Sequence, residues 1–174
     1  MTVFACKIPG QKGKSGLGAP AAVLLASVSP KGLLPVTLWT LRRYPGVFMK
    51  ASLTLSMYPI ISTPERYKEL FFFADLPEEK MASYFARLQD ESFRAYAMML
   101  FLGLFPPEPI TDTPLLVLGG ANDIAISPEE VEKTARWHKT QAELFPDMSH
   151  GMMLEPGWRI VADRILGWLN EQGL

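Results

Sequence analysis

The sequence predicts an α/β fold with about three parallel strands, flanking helices and an inserted all-helical segment. Three apolar runs, each bounded by turn-forming residues, have the composition of buried strands. A well-marked helix lies between the second and third runs, which gives a strand–helix–strand unit. The long stretch between the first and second runs carries helical patterns only. A parallel sheet with a helical insert follows from these three observations.

The three strand candidates are PAAVLLASVSPKG from Pro20, PLLVLGG from Pro114 to Gly120, and TQAELFP from Thr140 to Pro146. The first two are continuously apolar instead of alternating, which is typical of parallel strands covered on both faces. The third is shorter and less apolar. These runs form the framework on which the other elements are placed.

The helix between the second and third strands begins with strong signals. Ser127 is the expected N-cap, Pro128 occupies the first helical position, and Glu130 completes a predicted capping box. A final amphipathic helix is predicted in EPGWRIVADRILGWLNEQ, because its large apolar residues recur at nearly helical spacing. The residues expected to pack on the sheet are Trp158, Ile160, Val161, Ile165, Trp168 and Leu169.

The chain divides into three regions. Residues 1–19 contain three lysines, four glycines and no acid, and are expected to be a flexible lead-in. Residues 20–31 and 111–174 form the α/β core portion. Residues 32–110 are expected to form a cap of four or five helices, with a helix start at Thr63-Pro64-Glu65. The Met and Phe side chains of this cap could line an apolar pocket or simply form its own core.

Composition excludes several classes of protein. With 174 residues, 48% hydrophobic and 20% charged, the chain is expected to be globular, and a net charge of −1 gives no footprint for nucleic acid. The single Cys6 can form no internal disulfide and has no metal-binding companion. Apolar runs are shorter than the roughly 20 residues of a membrane span. We therefore expect a cytoplasmic protein with no metal, no cofactor and no membrane span.

Two side chains follow successive predicted strands at their carboxyl ends, where ligands gather in parallel sheets. Asp123 lies in GGANDIAIS and His150 lies in PDMSHG. Neighbouring strands are about 4.8 Å apart, so the carboxylate could reach the imidazole and leave its other nitrogen free as a base. Taken singly, each residue could be a turn former. His138, near a helix end, is expected to be structural, as a cation there suits the helix dipole, and Asp147 is the weaker partner for His150.

The segment from Thr113 to Leu169, which contains GGANDIAIS, SHGMMLE and the Trp-bearing last helix, resembles the C-terminal part of an α/β-hydrolase of the lipase/esterase-like group. PAAVLLASVSPKG resembles the strand before that group's helical cap. The resemblance covers residues 20–174. It implies a partial α/β-hydrolase fold, acid and base roles for Asp123 and His150, and a cap that shapes a pocket for a small apolar or acyl ester substrate.

The nucleophile of that family lies in a GxSxG elbow, and this sequence has none. In GKSGLG, Ser15 has Leu17 where the second glycine belongs, and the few residues before Ala21 leave no room for the helix that should follow. Ser15 is therefore not expected to be the nucleophile. Oxyanion donors are equally unrecognisable. The strand at 21–28 would lack a neighbour, so a second copy or a partner chain could cover its edge.

Three functions remain open from the sequence. The first is carboxylic ester hydrolysis, although other branches of the fold use a carboxylate nucleophile. The second is a catalytically inactive, truncated family member that binds apolar ligands or proteins. The third is a split enzyme, in which a separate polypeptide supplies the serine and the oxyanion hole.

Overall fold

A computed structural model describes residues 2–6, for which only the backbone is described, together with 19–101 and 104–174. The strands are β1 (Thr2–Cys6), β2 (Ala21–Leu25), β3 (Leu115–Gly120) and β4 (Ala142–Phe145). They form one sheet in the order β1-β2-β3-β4. Strands β2, β3 and β4 are parallel, which confirms the three parallel strands predicted from the apolar runs.

Strand β1 corrects two expectations. Thr2–Cys6 was assigned to the flexible lead-in, but it pairs antiparallel with β2, from Thr2 opposite Leu25 to Cys6 opposite Ala21. The edge of β2 that was expected to need a second copy or a partner chain is therefore covered by this chain itself. The physical reason is that β2 offers a row of unpaired backbone groups, which the nearest extended segment can satisfy. Residues 7–18 lie outside the described part.

Strand β2 separates two apolar cores because its successive side chains point to opposite faces of the sheet. On one face, Ala21, Val23 and Leu25 pack with residues of the last helix, including Val161 and Trp168. On the other face, Ala22 and Leu24 pack with the helix that joins β3 to β4. Every residue of β2 and β3 is buried, as the continuous apolar runs predicted.

Helix α7 (Pro128–Trp137) begins where predicted, but the Ser127 side-chain half of the predicted capping box does not form. The Ser127 side chain makes no capping bond, and the first turn is closed by the backbone, with the Glu130 N–H donating to the Ser127 carbonyl at 2.8 Å. The Glu130 carboxyl accepts from the Ser29 hydroxyl. It also interacts with the Ser127 backbone N–H, and both contacts oppose the rise in the pKa of Glu130 that its burial causes. A distant partner has thus been added to the local one.

Helix α8 (Trp158–Glu171) packs on the sheet through part of the predicted face. Val161 and Trp168 are buried and Ile165 and Leu169 pack beside them, whereas Trp158 and Ile160 are exposed. Trp158 and Ile160 lie in the first turn of the helix, ahead of most of the residues that pack on the sheet. Among the described residues, no helix combines the length and apolar character needed to cross a bilayer.

The helical insert contains six helices in its described residues, more than the four or five predicted. They are α1 (Leu34–Arg43), α2 (Pro45–Thr54), α3 (Tyr58–Ile61), α4 (Pro64–Phe71), α5 (Glu78–Phe85) and α6 (Phe93–Leu100). The predicted start at Thr63 is confirmed, because the Thr63 hydroxyl accepts from the Arg66 N–H. A small core of Ala51, Ile60 and Leu70 holds α2, α3 and α4 together.

Candidate active site

The two predicted site residues lie in loops that are hydrogen-bonded to each other. Asp123 follows β3 and His150 follows β4. The Asn122 N–H donates to the Met148 carbonyl at 2.9 Å, and the Ser149 hydroxyl donates to the Asn122 carbonyl at 3.2 Å. These bonds join the residue before Asp123 to the two residues before His150. The loops therefore hold a fixed relation to each other that does not depend on the two functional side chains.

Gly120 makes this close approach possible. A Cβ built at this last residue of β3 would stand 2.5 Å from the Met148 carbonyl oxygen and 2.7 Å from that of Ser149. Both are backbone atoms, so no side-chain rotation could relieve the overlap. The histidine loop can cross the end of β3 only because this position lacks a side chain.

The structure brings Asp123 and His150 into direct contact. His150 Nδ1 lies 2.9 Å from Asp123 Oδ2, and the other carboxyl oxygen, Oδ1, accepts from the Ile126 N–H at 2.8 Å. The Asp123 side chain is 0% exposed and that of His150 is 27% exposed. A fully buried carboxyl with both oxygens bonded is fixed in position, while the imidazole keeps one side open.

The contact defines the tautomer of His150. An ionised carboxylate only accepts hydrogen bonds, so the proton lies on Nδ1 and the lone pair lies on Nε2. A neutral imidazole in this state can take up a proton at Nε2, and the adjacent carboxylate stabilises the imidazolium that results. The geometry leaves Nε2 free to exchange a proton with a group in the cavity.

Phe71, the last residue of α4, bounds the imidazole on the side of the cap. The two rings meet edge to face with centroids 5.2 Å apart. The Gly151 N–H donates to the Phe71 carbonyl at 2.7 Å, and a Cβ at Gly151 would lie 2.7 Å from the same oxygen. The cap therefore contacts the histidine loop through backbone as well as through an aromatic ring.

A cavity of about 370 Å³ opens between the cap and the sheet, and His150 forms part of its wall. This volume falls within the range of small-molecule sites. The wall is mainly apolar, and it includes one tight polar pair, Thr37 Oγ1 and Tyr96 Oη, 2.7 Å apart. The apolar wall residues include Ala26, Leu33, Val36, Met57, Ile60, Leu70, Phe71 and Met99.

The hydroxyls on the described cavity wall are engaged in local bonds. Thr37 and Thr40 donate to the Leu33 and Val36 carbonyls, each at 2.8 Å, and Ser92 accepts from the Ala95 N–H. Within the described residues, the hydrogen bond of the His150 ring is the one to Asp123. No described hydroxyl is thus poised on Nε2. Ser15 lies outside the described residues.

The other two candidates lie apart from the site. Asp147 is exposed and does not bond to His150. His138 is structural, as predicted, but not as a cation. It is buried, burial lowers the pKa of its imidazole below the ordinary 6.5, and Nδ1 accepts from the Ile110 N–H at 2.9 Å. A neutral acceptor of a backbone proton has replaced the expected charge at the helix end.

Metal-ligating residues are not gathered at this site. Across the described residues, no group of three or more His, Cys, Asp or Glu side chains could hold a metal ion. Glu155, which the sequence analysis did not single out, is buried five residues after His150 and accepts three backbone N–H bonds. The sequence does contain a signal for Glu155. It is an acidic residue within the Met- and Pro-containing turn HGMMLEPG, where a buried charge is costly unless it is hydrogen-bonded.

The fold and the site can be compared with known proteins. No protein-family model matches the sequence, and no curated protein does. Several solved structures, in contrast, match the fold of this chain. A monoglyceride lipase from Saccharomyces cerevisiae, solved as a soluble variant with a substrate analogue, superimposes with a TM-score of 0.57 at 16% identity, over 89% of this chain and 57% of the lipase.

Two esterase structures superimpose on the chain about as well as the lipase does. An esterase from Exiguobacterium antarcticum gives a TM-score of 0.55 at 14% identity, over 85% of this chain and 56% of the esterase. A thermophilic esterase gives 0.50 at 19% identity, over 89% and 57%. The chain therefore has a partial α/β-hydrolase fold, and it spans less than three-fifths of the length of these esterases and this lipase.

Proposed function

We propose that this chain supplies the general base and its acid partner for the hydrolysis of carboxylic esters. The observation that carries the proposal is the 2.9 Å contact between His150 Nδ1 and the fully buried Asp123 carboxylate, at the wall of a cavity. The esterase and lipase folds of the structural neighbours support the same reaction class. The apolar wall suits an ester with an apolar acyl group.

The proposed roles follow from the tautomer. His150 Nε2 takes the proton of a nucleophilic hydroxyl as its oxygen bonds to the acyl carbon, and Asp123 stabilises the imidazolium. The imidazolium then gives that proton to the departing alcohol. Water, deprotonated in turn by Nε2, cleaves the acyl–enzyme bond, and the imidazolium returns that proton to the oxygen of the nucleophile as the carboxylic acid is released. The nucleophile and the oxyanion donors would come from polypeptide outside the described residues.

Intact-mass analysis after fluorophosphonate treatment tests whether this chain carries its own nucleophile. His150→Ala is the test variant and His138→Asn the matched control, because it alters the other histidine and keeps an acceptor. Stoichiometric labelling of one serine that is lost only in His150→Ala would establish a serine hydrolase. A folded chain that is not labelled would refute activity of this polypeptide alone.

Complementation tests the alternative in which activity needs a second polypeptide. A separately expressed segment with a GxSxG elbow should then restore fluorophosphonate labelling on its own serine, and His150→Ala should abolish that labelling. If labelling of the added segment is the same with wild-type chain and with His150→Ala, the base assignment is wrong.

Binding without catalysis is the second candidate, and the local engagement of the wall hydroxyls favours it. An apolar cavity that holds no poised nucleophile can still take up an acyl ester. Calorimetric titration with a non-hydrolysable medium-chain ester analogue should show saturable binding that is weakened by Ile60→Trp, which fills the cavity. Undiminished binding in that variant would contradict a cavity site.

A further inference from the structure

Glu155 is a buried carboxyl group with no role in the proposed proton transfers. It is 1% exposed, and its partners are three backbone N–H groups. Oε1 accepts from Phe73 at 2.7 Å and from Ser149 at 3.1 Å, and Oε2 accepts from Ala74 at 3.2 Å. Charge-assisted bonds of this kind are among the stronger hydrogen bonds in proteins.

One oxygen atom of Glu155 joins two distant parts of the chain. Ser149 immediately precedes His150 in the loop after β4, while Phe73 and Ala74 follow helix α4 of the cap. Oε1 bridges the two because it accepts from both Ser149 and Phe73. The carboxylate thus ties the residue before the base directly to the cap.

A second tie lies on the other side of His150. The Gly151 N–H donates to the Phe71 carbonyl at 2.7 Å, and the Phe71 ring lies against the imidazole. The residues before and after His150 are therefore both held by the segment 71–74, one through Glu155 and one directly. Rotation of the histidine backbone away from Asp123 would require breaking both attachments.

We propose that Glu155 is a positioning residue that holds His150 in register with Asp123 and couples that register to the cap. The positional claim stands on the contacts of Glu155 alone, and only its consequence for ester hydrolysis rests on the proposed function. Glu155 touches neither the cavity nor the imidazole, so it acts through the backbone of Ser149. Loss of its acceptors should therefore loosen the His150–Asp123 contact before it unfolds the protein.

The test is the proton NMR of the two histidines, which are the only ones in the chain. The Nδ1 proton of His150 gives a downfield signal while it is held by Asp123, and His138 provides an internal reference. In Glu155→Met, a side chain of similar length without an oxygen acceptor leaves all three N–H groups without their partner. We expect the His150 Nδ1 proton to exchange with water about tenfold faster or more, with the His138 signals unchanged.

Glu130→Met is the matched control, because Glu130 is also a buried carboxyl but bonds to Ser29 on the other side of the sheet. It should leave the His150 signal as in the wild type. A folded Glu155→Met with an unchanged His150 Nδ1 signal would overturn the proposal. So would equal loss of that signal in Glu130→Met, which would indicate general destabilisation.

A measurement on the unaltered chain guards against a variant that fails to fold. Amide hydrogen exchange should show Phe73, Ala74, Ser149 and Gly151 opening together as one unit. Much faster exchange of Phe73 and Ala74 than of Ser149 would refute the coupling of cap and base. Neither readout needs turnover, so absence of ester hydrolysis would refute the proposed function without touching this result.

Discussion

The carboxyl edge of the sheet and the helical cap differ in how firmly their residues are held. At the sheet edge, every residue of β3 is buried and the loops that follow β3 and β4 are bonded to each other through backbone. In the cap, helices α5 and α6 have no buried residue, and large apolar side chains such as Phe105, just beyond α6, reach 82% exposure. Precise geometry comes from the sheet edge and from the segment 71–74 that is bonded to it, whereas α6 contributes to the cavity wall without a buried residue of its own.

The largest difference between the regions should appear on truncation of apolar side chains. Leu118 in β3 is 0% exposed and Met98 in α6 is 65% exposed. Leu118→Ala should lower the free energy of unfolding by about 2–5 kcal/mol, because it leaves a cavity in a packed core. Met98→Ala should change it by less than about 0.5 kcal/mol. Urea denaturation measures both, and equal losses would show that the cap is as tightly packed as the sheet.

Replacing one glycine in each region by alanine compares how closely the backbone is packed at the sheet edge and in the cap. Gly120→Ala forces a Cβ against two carbonyl oxygens of the histidine loop and should cost about 1–3 kcal/mol. Gly46, in the first turn of α2, has nothing within 4 Å of an added Cβ. Gly46→Ala should therefore be neutral or stabilising by up to about 1 kcal/mol. Thermal unfolding of the two variants gives the comparison, and a tolerated Gly120→Ala would mean that the loops can separate.

Lowering the pH should weaken the junction between the helical insert and the α/β core through His138. This residue accepts a hydrogen bond from the Ile110 N–H, where the insert returns to the core. Burial lowers the pKa of His138 from 6.5, so the folded state binds fewer protons than the unfolded state just below pH 6.5. Stability therefore falls as the pH drops below about 6.5. His138→Asn keeps an acceptor but cannot titrate, so the decline should be shallower in urea titrations of this variant. An identical pH profile would contradict the assignment.

The smallest expected effect concerns the side chains that bond the first turn of a helix. The helical insert should be more sensitive to the loss of such a side chain than the α/β core. Thr63 accepts the Arg66 N–H at the start of α4, whereas Ser127 makes no side-chain bond at the start of α7. Thr63→Ala should cost about 0.5–1 kcal/mol, and Ser127→Ala less. Chemical denaturation of the pair tests this order. A larger loss for Ser127→Ala would mean that the capping box forms in solution.

Local patterns were sufficient for the sheet. Strands β2, β3 and β4 were predictable because each is a continuous apolar run, and the proximity of Asp123 and His150 followed from their positions after adjacent parallel strands. Their catalytic roles remain a prediction. The start of α7 was also correct, since Pro128 fixes the first helical turn whatever the Ser127 side chain does.

Non-local partners explain what the sequence analysis missed. Strand β1 forms because the edge of β2 is available; the β-branched and aromatic residues of TVFAC suit a strand, but its partner lies elsewhere in the chain. Glu130 accepts from Ser29, 101 residues away, and Glu155 accepts from Phe73, 82 residues away. The end of α2 is also hard to read from the sequence, because Leu55 adopts the left-handed conformation there without a glycine to mark it.

The register of β1 decides where polypeptide added to the chain will emerge. Thr2 lies opposite Leu25, so a segment attached ahead of Thr2 meets the fold beside Ala26, which lines the cavity. A purification tag or fusion partner at that end would begin close to the cavity wall. Helix α8 contributes no described residue to the cavity wall, so a tag placed after Leu174 is the better choice for activity and binding assays.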